Sequence, residues 1–304
     1  MGRNRLFAYL FLLVAVSLWG VASPIIKYTL NGIDPFNFLA YRFSISALLA
    51  VIFFAYHNTW LPKNKTLILP LIIYGFISTT LPLSLLFLGL DRSNVLTSTV
   101  LTSTVPLVTA LAGARFLSER ITKREKKGMA LAFLGTLITI IEPILETNHN
   151  EGRLLGNLMI FAYILVDTYS YILAKKIMRK GISASYLTNF AFLVGFFTLT
   201  VVVLLNSPNE FLSSVTNLSF DYHLGIIYMA IFSGTIAFSF WNRGQRTIEV
   251  SEAAVFKYLD PLFAAPLAVL WLGESITPLF VFGAAIIALG VFIAETKRKF
   301  KIFI

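Results

Sequence analysis

Four charged side chains stand inside stretches that are otherwise apolar: Arg42, Asp167, Lys257 and Asp260. At the centre of a bilayer-spanning helix such a charge costs about 2.5–3.5 kcal/mol, so it usually faces the interior of a bundle and has a partner or a use. Lys257 and Asp260 are three residues apart, which puts them on one helix face where they can neutralise each other. Asp167 has Tyr163 at i−4 and Ser170 at i+3, a polar stripe of the kind that lines a cavity rather than faces lipid. Arg42 can brace a neighbouring helix, snorkel to an interface or meet a ligand. Trp19, with Ser23 and Lys27 extending its face at four-residue steps, joins Tyr163 and Tyr258 as aromatic surface for an apolar side group. An acceptor such as Asp167 beside a cationic donor such as Lys257 suits a zwitterion. The candidate substrate-binding set is therefore Trp19, Arg42, Tyr163, Asp167, Lys257, Tyr258 and Asp260.

Other chemistries have little to work with. The absence of Cys removes a thiolate nucleophile, a disulfide framework and a thiolate zinc site. His57, His149 and His223 are far apart in sequence, so no metal and no cofactor are expected. A Walker pattern is missing, which argues against direct use of ATP. An aspartate in mid-span can relay a proton, which makes Asp167 or Asp260 a candidate for coupling to protons. The hydroxyls of Thr97-Ser98-Thr99 and Thr102-Ser103-Thr104 could line a path, although bonding back to their own helix is the commoner use.

The elements that hold these residues follow from composition. Hydrophobic residues make up 57% of the 304, and charged residues 13%, roughly half the share of about 25% usual in soluble domains. A soluble globule could not bury that much apolar surface, and the bilayer can. Ten apolar runs are long enough to read as spanning helices: Leu6–Lys27, Pro35–Tyr56, Leu67–Leu88, Asn94–Phe116, Gly128–Ile141, Leu155–Ala174, Ser185–Leu205, Leu224–Trp241, Ser251–Leu272 and Pro278–Ala294. The first run has Arg3 and Arg5 before it and small residues at Val21-Ala22-Ser23, as a secretory signal would, but Trp19 and Pro24 fit that pattern poorly.

Ten spans put both termini on one side. With the termini inside, nineteen of the 25 basic residues fall in inner segments, and only Lys27, Arg92 and Arg153 at the outer side. The positive-inside rule then sets both termini in the cytoplasm of a cell whose inner (plasma) membrane holds the chain. The net charge of +10 is an orientation signal spread over short loops and tails, and no nucleic-acid partner is expected.

Sliding the chain against itself by 155 residues aligns Gly89 with Gly244, Val95 with Val250, Pro106 with Pro261, Glu119 with Glu274, Gly128 with Gly283 and Gly135 with Gly290. An offset of 148 sets Trp19 over Asp167 and Lys27 over Lys175. Each half then holds five spans, residues 1–147 and 148–304. Because five is odd, the second half enters the membrane from the opposite side. The expected fold is an all-α integral membrane protein of ten transmembrane helices built as two inverted five-helix repeats. Such duplications are typical of secondary transporters, where substrate sits between the halves. The main rival is a polytopic membrane enzyme, which would need a clustered nucleophile or base. The mates of Lys257 and Asp260 are Thr102 and Val105, so the two halves share a frame but not a lining. The repeated glycines would let helices approach closely. Pro106 and Pro261 would free carbonyls in mid-span, and Glu119 and Glu274 fit helix capping or loop bracing.

The doubled P-x12-E-x-I-T pattern, Pro106 to Thr122 and Pro261 to Thr277, resembles the two EamA domains of the drug/metabolite transporter superfamily. Ser17-Leu18-Trp19-Gly20, Tyr41-Arg42-Phe43 and Tyr258-Leu259-Asp260-Pro261 add to the resemblance. It implies a ten-helix inner-membrane carrier, often an exporter of amino acids or other small metabolites. The partners it implies are a small-molecule metabolite and the lipid bilayer.

Overall fold

The computed structural model describes residues 3–62, 64–118, 122–145 and 151–295. Glu119, Arg120, His149 and the basic tail from Lys297 lie outside the described residues. The described residues form helices and turns, with no strand among them. In lipid this is the economical solution, because a helix satisfies its own N–H and C=O groups where water is absent.

Among the described residues ten long helical stretches follow in order: α1 Arg3–Thr29, α2 Pro35–His57, α3 Lys65–Arg92, α4 Val95–Leu117, α5 Lys123–Leu145, α6 Glu151–Met178, α7 Ala184–Asn206, α8 Phe220–Thr247, α9 Val250–Leu270 and α10 Pro278–Glu295. Eight of them, α1 to α4 and α6 to α9, are long and apolar enough to cross a membrane, and α10 contains a shorter apolar helix, Pro278–Ile293. For α5 and α10 the reading as full spans rests on the sequence alone. Several boundaries differ from the apolar pattern. Helix α5 has 23 residues because the charged stretch from Lys123 to Lys127 continues the helix beyond its apolar part. Helix α8 likewise extends at both ends. A short helix, Pro208–Thr216, with Pro208 in its first turn, lies between α7 and α8 and has no counterpart among the expected spans.

Short connections are fixed by caps. Asp34 accepts from the backbone N–H of Phe36 (3.0 Å) and Asn37 (3.1 Å), with Pro35 opening α2. Asn94 accepts from Thr97 N–H at 2.8 Å to start α4, and Ser183 from Tyr186 N–H at 3.2 Å to start α7. Gly181, at φ +94°, turns the chain out of α6, a conformation that favours glycine.

The bundle is apolar outside and partly polar inside. Leu69, Phe197, Leu262 and Phe282 are each more than half exposed, whereas Ser46, Thr79, Thr97, Asn157 and Gln245 are buried. That distribution suits lipid, in which helix contacts come from close packing and interhelical hydrogen bonds rather than from expelling water.

The packing scheme occurs twice. Helix α1 lies along α8 and α9, and α6 lies along α3 and α4; α2 packs on α7, and α5 on α10. Exchanging α1 with α6, α2 with α7, and so on through α5 with α10, maps this scheme onto itself. The correspondence reaches single contacts. A Cβ on Gly89 of α3 would stand 2.7 Å from Ile160 Cγ1 of α6, and one on Gly244 of α8 would stand 2.5 Å from Leu12 Cγ of α1. The two glycines are 155 apart and their partners 148 apart, the two offsets of the repeat. At the α5–α10 crossing a Cβ on Gly135 would meet the Gly283 carbonyl oxygen at 2.9 Å, and one on Gly290 the Gly128 carbonyl oxygen at 2.6 Å.

The helix irregularities repeat as well. π-Helical turns occupy Phe76–Thr80 in α3 and Ile231–Ile236 in α8, starting 155 residues apart. A third, Phe196–Thr200, lies in α7. Their widened turns leave carbonyls to side chains: Gly75 O accepts from Thr79 Oγ1 at 2.7 Å, and Ala230 O from Ser46 Oγ and Thr235 Oγ1 at 3.3 Å each. Before Pro106, α4 breaks at Ser103 and Thr104; before Pro261, α9 tightens into a 3-10 turn over Val255–Leu259. Neither proline can donate to the carbonyl four residues back, that of Thr102 or of Lys257.

Candidate functional site

Both of those residues border one internal cavity. It offers about 60 Å³ and is lined by α1, α2, α3, α4, α6, α8 and α9. Of the seven residues singled out in the sequence, the fold brings six to it: Trp19, Arg42, Tyr163, Asp167, Lys257 and Asp260. Tyr258 does not line it. The volume is about two waters' share of liquid space at ~30 Å³ each, well below the roughly 300 Å³ of a small-molecule pocket. At that size side chains must move to admit a metabolite.

Lys257 stands at the centre of the charge arrangement. Its Nζ lies 3.3 Å from Asp260 Oδ2 and 4.0 Å from the centroid of the Trp19 ring, with the Trp241 ring at 5.6 Å. The Trp19 indole is held by a hydrogen bond from its Nε1 to the Ser233 carbonyl, 2.9 Å away in the π-turn of α8. Its ring meets Phe238 edge-on at 5.1 Å. Trp19 is thus both a packing element and the ring under the Lys257 ammonium, a favourable cation–π geometry.

Asp167 accepts a hydrogen bond from the Tyr171 hydroxyl one turn along α6, with Tyr163 and Ser170 beside it. Tyr171 packs on Trp241 with ring centroids 5.1 Å apart. Tyr171 and Trp241 extend the site beyond the residues singled out from sequence. Tyr171 belongs to the same stripe as Tyr163 and Asp167 and was open to the same i+4 argument; Trp241 carries no such sequence signal. Arg42 is fully buried, so it does not snorkel, and it makes no hydrogen-bonded brace: Nε, Nη1 and Nη2 have no acceptor among the described residues. Its guanidinium lies over the Phe87 ring at 5.7 Å. The hydroxyls of Thr99, Thr102, Ser103 and Thr104 bond back to carbonyls of α4, yet Thr99 and Thr102 also border the cavity.

Other conspicuous charges position helices. Lys27 leaves the Trp19 face and donates to Leu90 O (2.7 Å) and Asp91 O (3.2 Å) at the end of α3. Its repeat mate Lys175 donates to Gln245 O (2.5 Å) and Arg246 O (3.0 Å) at the end of α8. A cation there complements the negative end of the helix dipole. Glu274 accepts from Val95 N–H (2.6 Å) and Leu96 N–H (2.8 Å), capping α4 from the other half. Beyond the cavity along α8, Gln245 donates to Asn242 (2.7 Å), which donates to Thr188 (3.0 Å) and Tyr74 (3.3 Å), tying α8 to α7 and α3.

Fold and cavity together define a multi-pass membrane protein, apolar on its outer face, with a charge-lined cavity among its helices. The chain belongs to the EamA-like transporter family, whose model matches residues 6–141 and again 154–296. It is 26% identical over 296 residues to the uncharacterized transporter YyaM of Bacillus subtilis (strain 168), covering 96% of this chain and 94% of that one. It is 24% identical over 288 residues to a protein of Escherichia coli (strain K12) named "Probable amino-acid metabolite efflux pump", covering 92% of each. One solved crystal structure superposes with a TM-score of 0.68 at 17% identity over 96% of this chain and 98% of the other, a likeness of fold alone.

Proposed function

We propose that this transporter is a secondary carrier that exports amino acids or similar small metabolites by alternating access, with its substrate site in the cavity between the two halves. The observation that carries the reading is the convergence of Arg42, Asp167, Lys257 and Asp260 on one cavity. Buried charges of both signs suit a zwitterion, and the apolar walls suit its side group. The twofold contact scheme supports two halves, 1–147 and 148–304, that exchange their first helices, so that the bundle of α3, α4 and α6 rocks against that of α8, α9 and α1 with the α2–α7 and α5–α10 contacts between the halves. The efflux-pump names of the relatives in Escherichia coli and Salmonella typhimurium favour export and amino-acid metabolites, and family membership favours transport over membrane-embedded catalysis.

The distribution of basic residues supports a place in the cytoplasmic membrane with both termini inside. Asp167 is the candidate proton site. Tyr163, Ser170 and Tyr171 of its own helix, Tyr74 of α3, and Lys257 and Asp260 of α9 are among the titratable and polar groups around it. A proton on Asp167 would remove one of the two negative charges in the cavity wall that attract the substrate ammonium, which couples proton binding on one side to substrate release there.

Purified protein in proteoliposomes loaded with single labelled amino acids tests this. The expected result is efflux of at least one zwitterionic amino acid above that from protein-free vesicles, faster when the outside is acid. Absence of flux for every amino acid contradicts the substrate class, and flux indifferent to the pH gradient removes the proton and leaves facilitated diffusion.

A further inference from the structure

Several buried side-chain atoms have no hydrogen-bond partner among the described residues, and those bordering the cavity belong to two groups of opposite sign: the Arg42 guanidinium and Oδ1 of Asp260. A guanidinium presents five N–H donors in a planar fork and is charged at neutral pH. Holding it fully buried with Nε, Nη1 and Nη2 all idle is among the costliest arrangements a fold can keep, unless a ligand takes the donors. The face of Phe87, at 5.7 Å, compensates only in part. Across from the guanidinium the α8 backbone is bare at Gly234, where a Cβ would stand 3.6 Å from Nη2, so no side chain of that residue covers the fork.

The cavity's other cation is already engaged. Lys257 has Asp260 Oδ2 at 3.3 Å and the Trp19 ring at 4.0 Å. The formal charges bordering the cavity cancel, two of each sign, with Arg42 and Lys257 against Asp167 and Asp260. A ligand of zero net charge keeps that balance, whereas a phosphate dianion breaks it.

We infer that Arg42, and not Lys257, receives a substrate carboxylate through its planar fork, in a zwitterion whose cationic end meets the open Oδ1 of Asp260. Leu83 and Leu86 of α3 and Met229 and Phe238 of α8 supply the apolar wall for its side group. The assignment rests on the cavity being the substrate site, and it names the chemical feature by which that site selects.

Thermal unfolding of the detergent-purified full chain tests it, with free amino acids such as leucine and phenylalanine, their carboxamides, 4-methylpentanoate, sodium chloride and inorganic phosphate as probes. Carboxylate recognition by a charged fork predicts that an amino acid stabilises the wild-type protein at concentrations about tenfold to a hundredfold below its amide. In Arg42→Gln the acid and amide should become equal to within about threefold, chiefly through loss of the acid's advantage. Arg42→Lys, which keeps the charge but loses the fork, should retain part of the gap and reports whether a cation at this place is enough to keep the fold.

Equal stabilisation of the wild-type protein by acid and amide overturns the assignment, as does an Arg42→Gln protein that keeps the gap. So does a panel in which no carboxylate stabilises, or in which chloride or phosphate replaces the carboxylates. Flux through the same protein in vesicles separates this inference from the carrier reading. Carboxylate-selective binding without flux keeps the role of Arg42 and refutes transport, while flux with no acid–amide gap does the reverse.

Discussion

Lys257 and Asp260 can be read as an internal ion pair that merely steadies the break before Pro261, or as part of the substrate site. The two readings differ in what the double substitution does. Lys257→Ala alone strands a buried carboxylate, a change that costs about 3–5 kcal/mol in comparable buried pairs. It should therefore lower both yield and transport. Lys257→Ala combined with Asp260→Ala removes the whole pair and relieves that cost. If the pair is only structural, the double variant regains wild-type flux. The arrangement here, with Lys257 stacked on Trp19 and Asp260 Oδ1 buried without a hydrogen-bond partner among the described residues, predicts that yield recovers while flux stays at least about tenfold down, the equivalent of ~1.4 kcal/mol. Flux from reconstituted protein, normalised to the amount inserted, decides it. At this scale much was legible in the sequence, because a charge inside an apolar run announces itself. What was not legible is which charges are satisfied. Arg42 and Lys257 look alike as buried cations, and only the three-dimensional neighbours distinguish the engaged one from the idle one. Tyr258 is the converse case: its ring suggested aromatic surface for a substrate side group, but it stands one step from Lys257 in a 3-10 turn, which rotates a side chain by about a third of a circle.

Among the elements, the close approach of α1 to α8 and of α6 to α3 depends on a residue without a side chain at Gly244 and Gly89. Leucine at either place drives atoms into a packed neighbour, with Leu12 and Ala8 O near Gly244, and Ile160 and Gly156 O near Gly89. Backbone on the opposing helix cannot rotate away as a side chain can. Gly89→Leu and Gly244→Leu should each destabilise the protein by about 1–3 kcal/mol or more, seen as a lower Tm in detergent, and by similar amounts because the contact is the same one made twice. A large loss from one and none from the other would show that the halves do not share this packing. The repeat was readable because glycine and proline leave marks at fixed offsets. The π-turns were not: Phe76–Thr80 and Ile231–Ile236 do share Ser78 with Ser233 and Thr80 with Thr235 at the offset of 155, but a widened turn is set by what the neighbouring helices can satisfy. Nor was the role of Lys27 and Lys175 clear: as sequence they looked like charges at span ends, and only the fold shows each closing the last turn of a helix from its own half.

For the whole molecule, the proposed alternating-access carrier makes one demand: the same residues must become accessible from each face of the membrane in turn, and substrate must stand in the way of both. The chain has no Cys, so a single introduced thiol reports without background. Ser23 borders the cavity on α1 and takes no part in the charge arrangement. In Ser23→Cys protein reconstituted in one orientation, a membrane-impermeant maleimide supplied from either side should label the thiol. A saturating amount of the transported amino acid should slow labelling from both sides by about tenfold, as expected when a site is nine-tenths occupied. Labelling from one face only, or at a rate that the substrate leaves unchanged, would contradict a substrate site shared between two alternating openings.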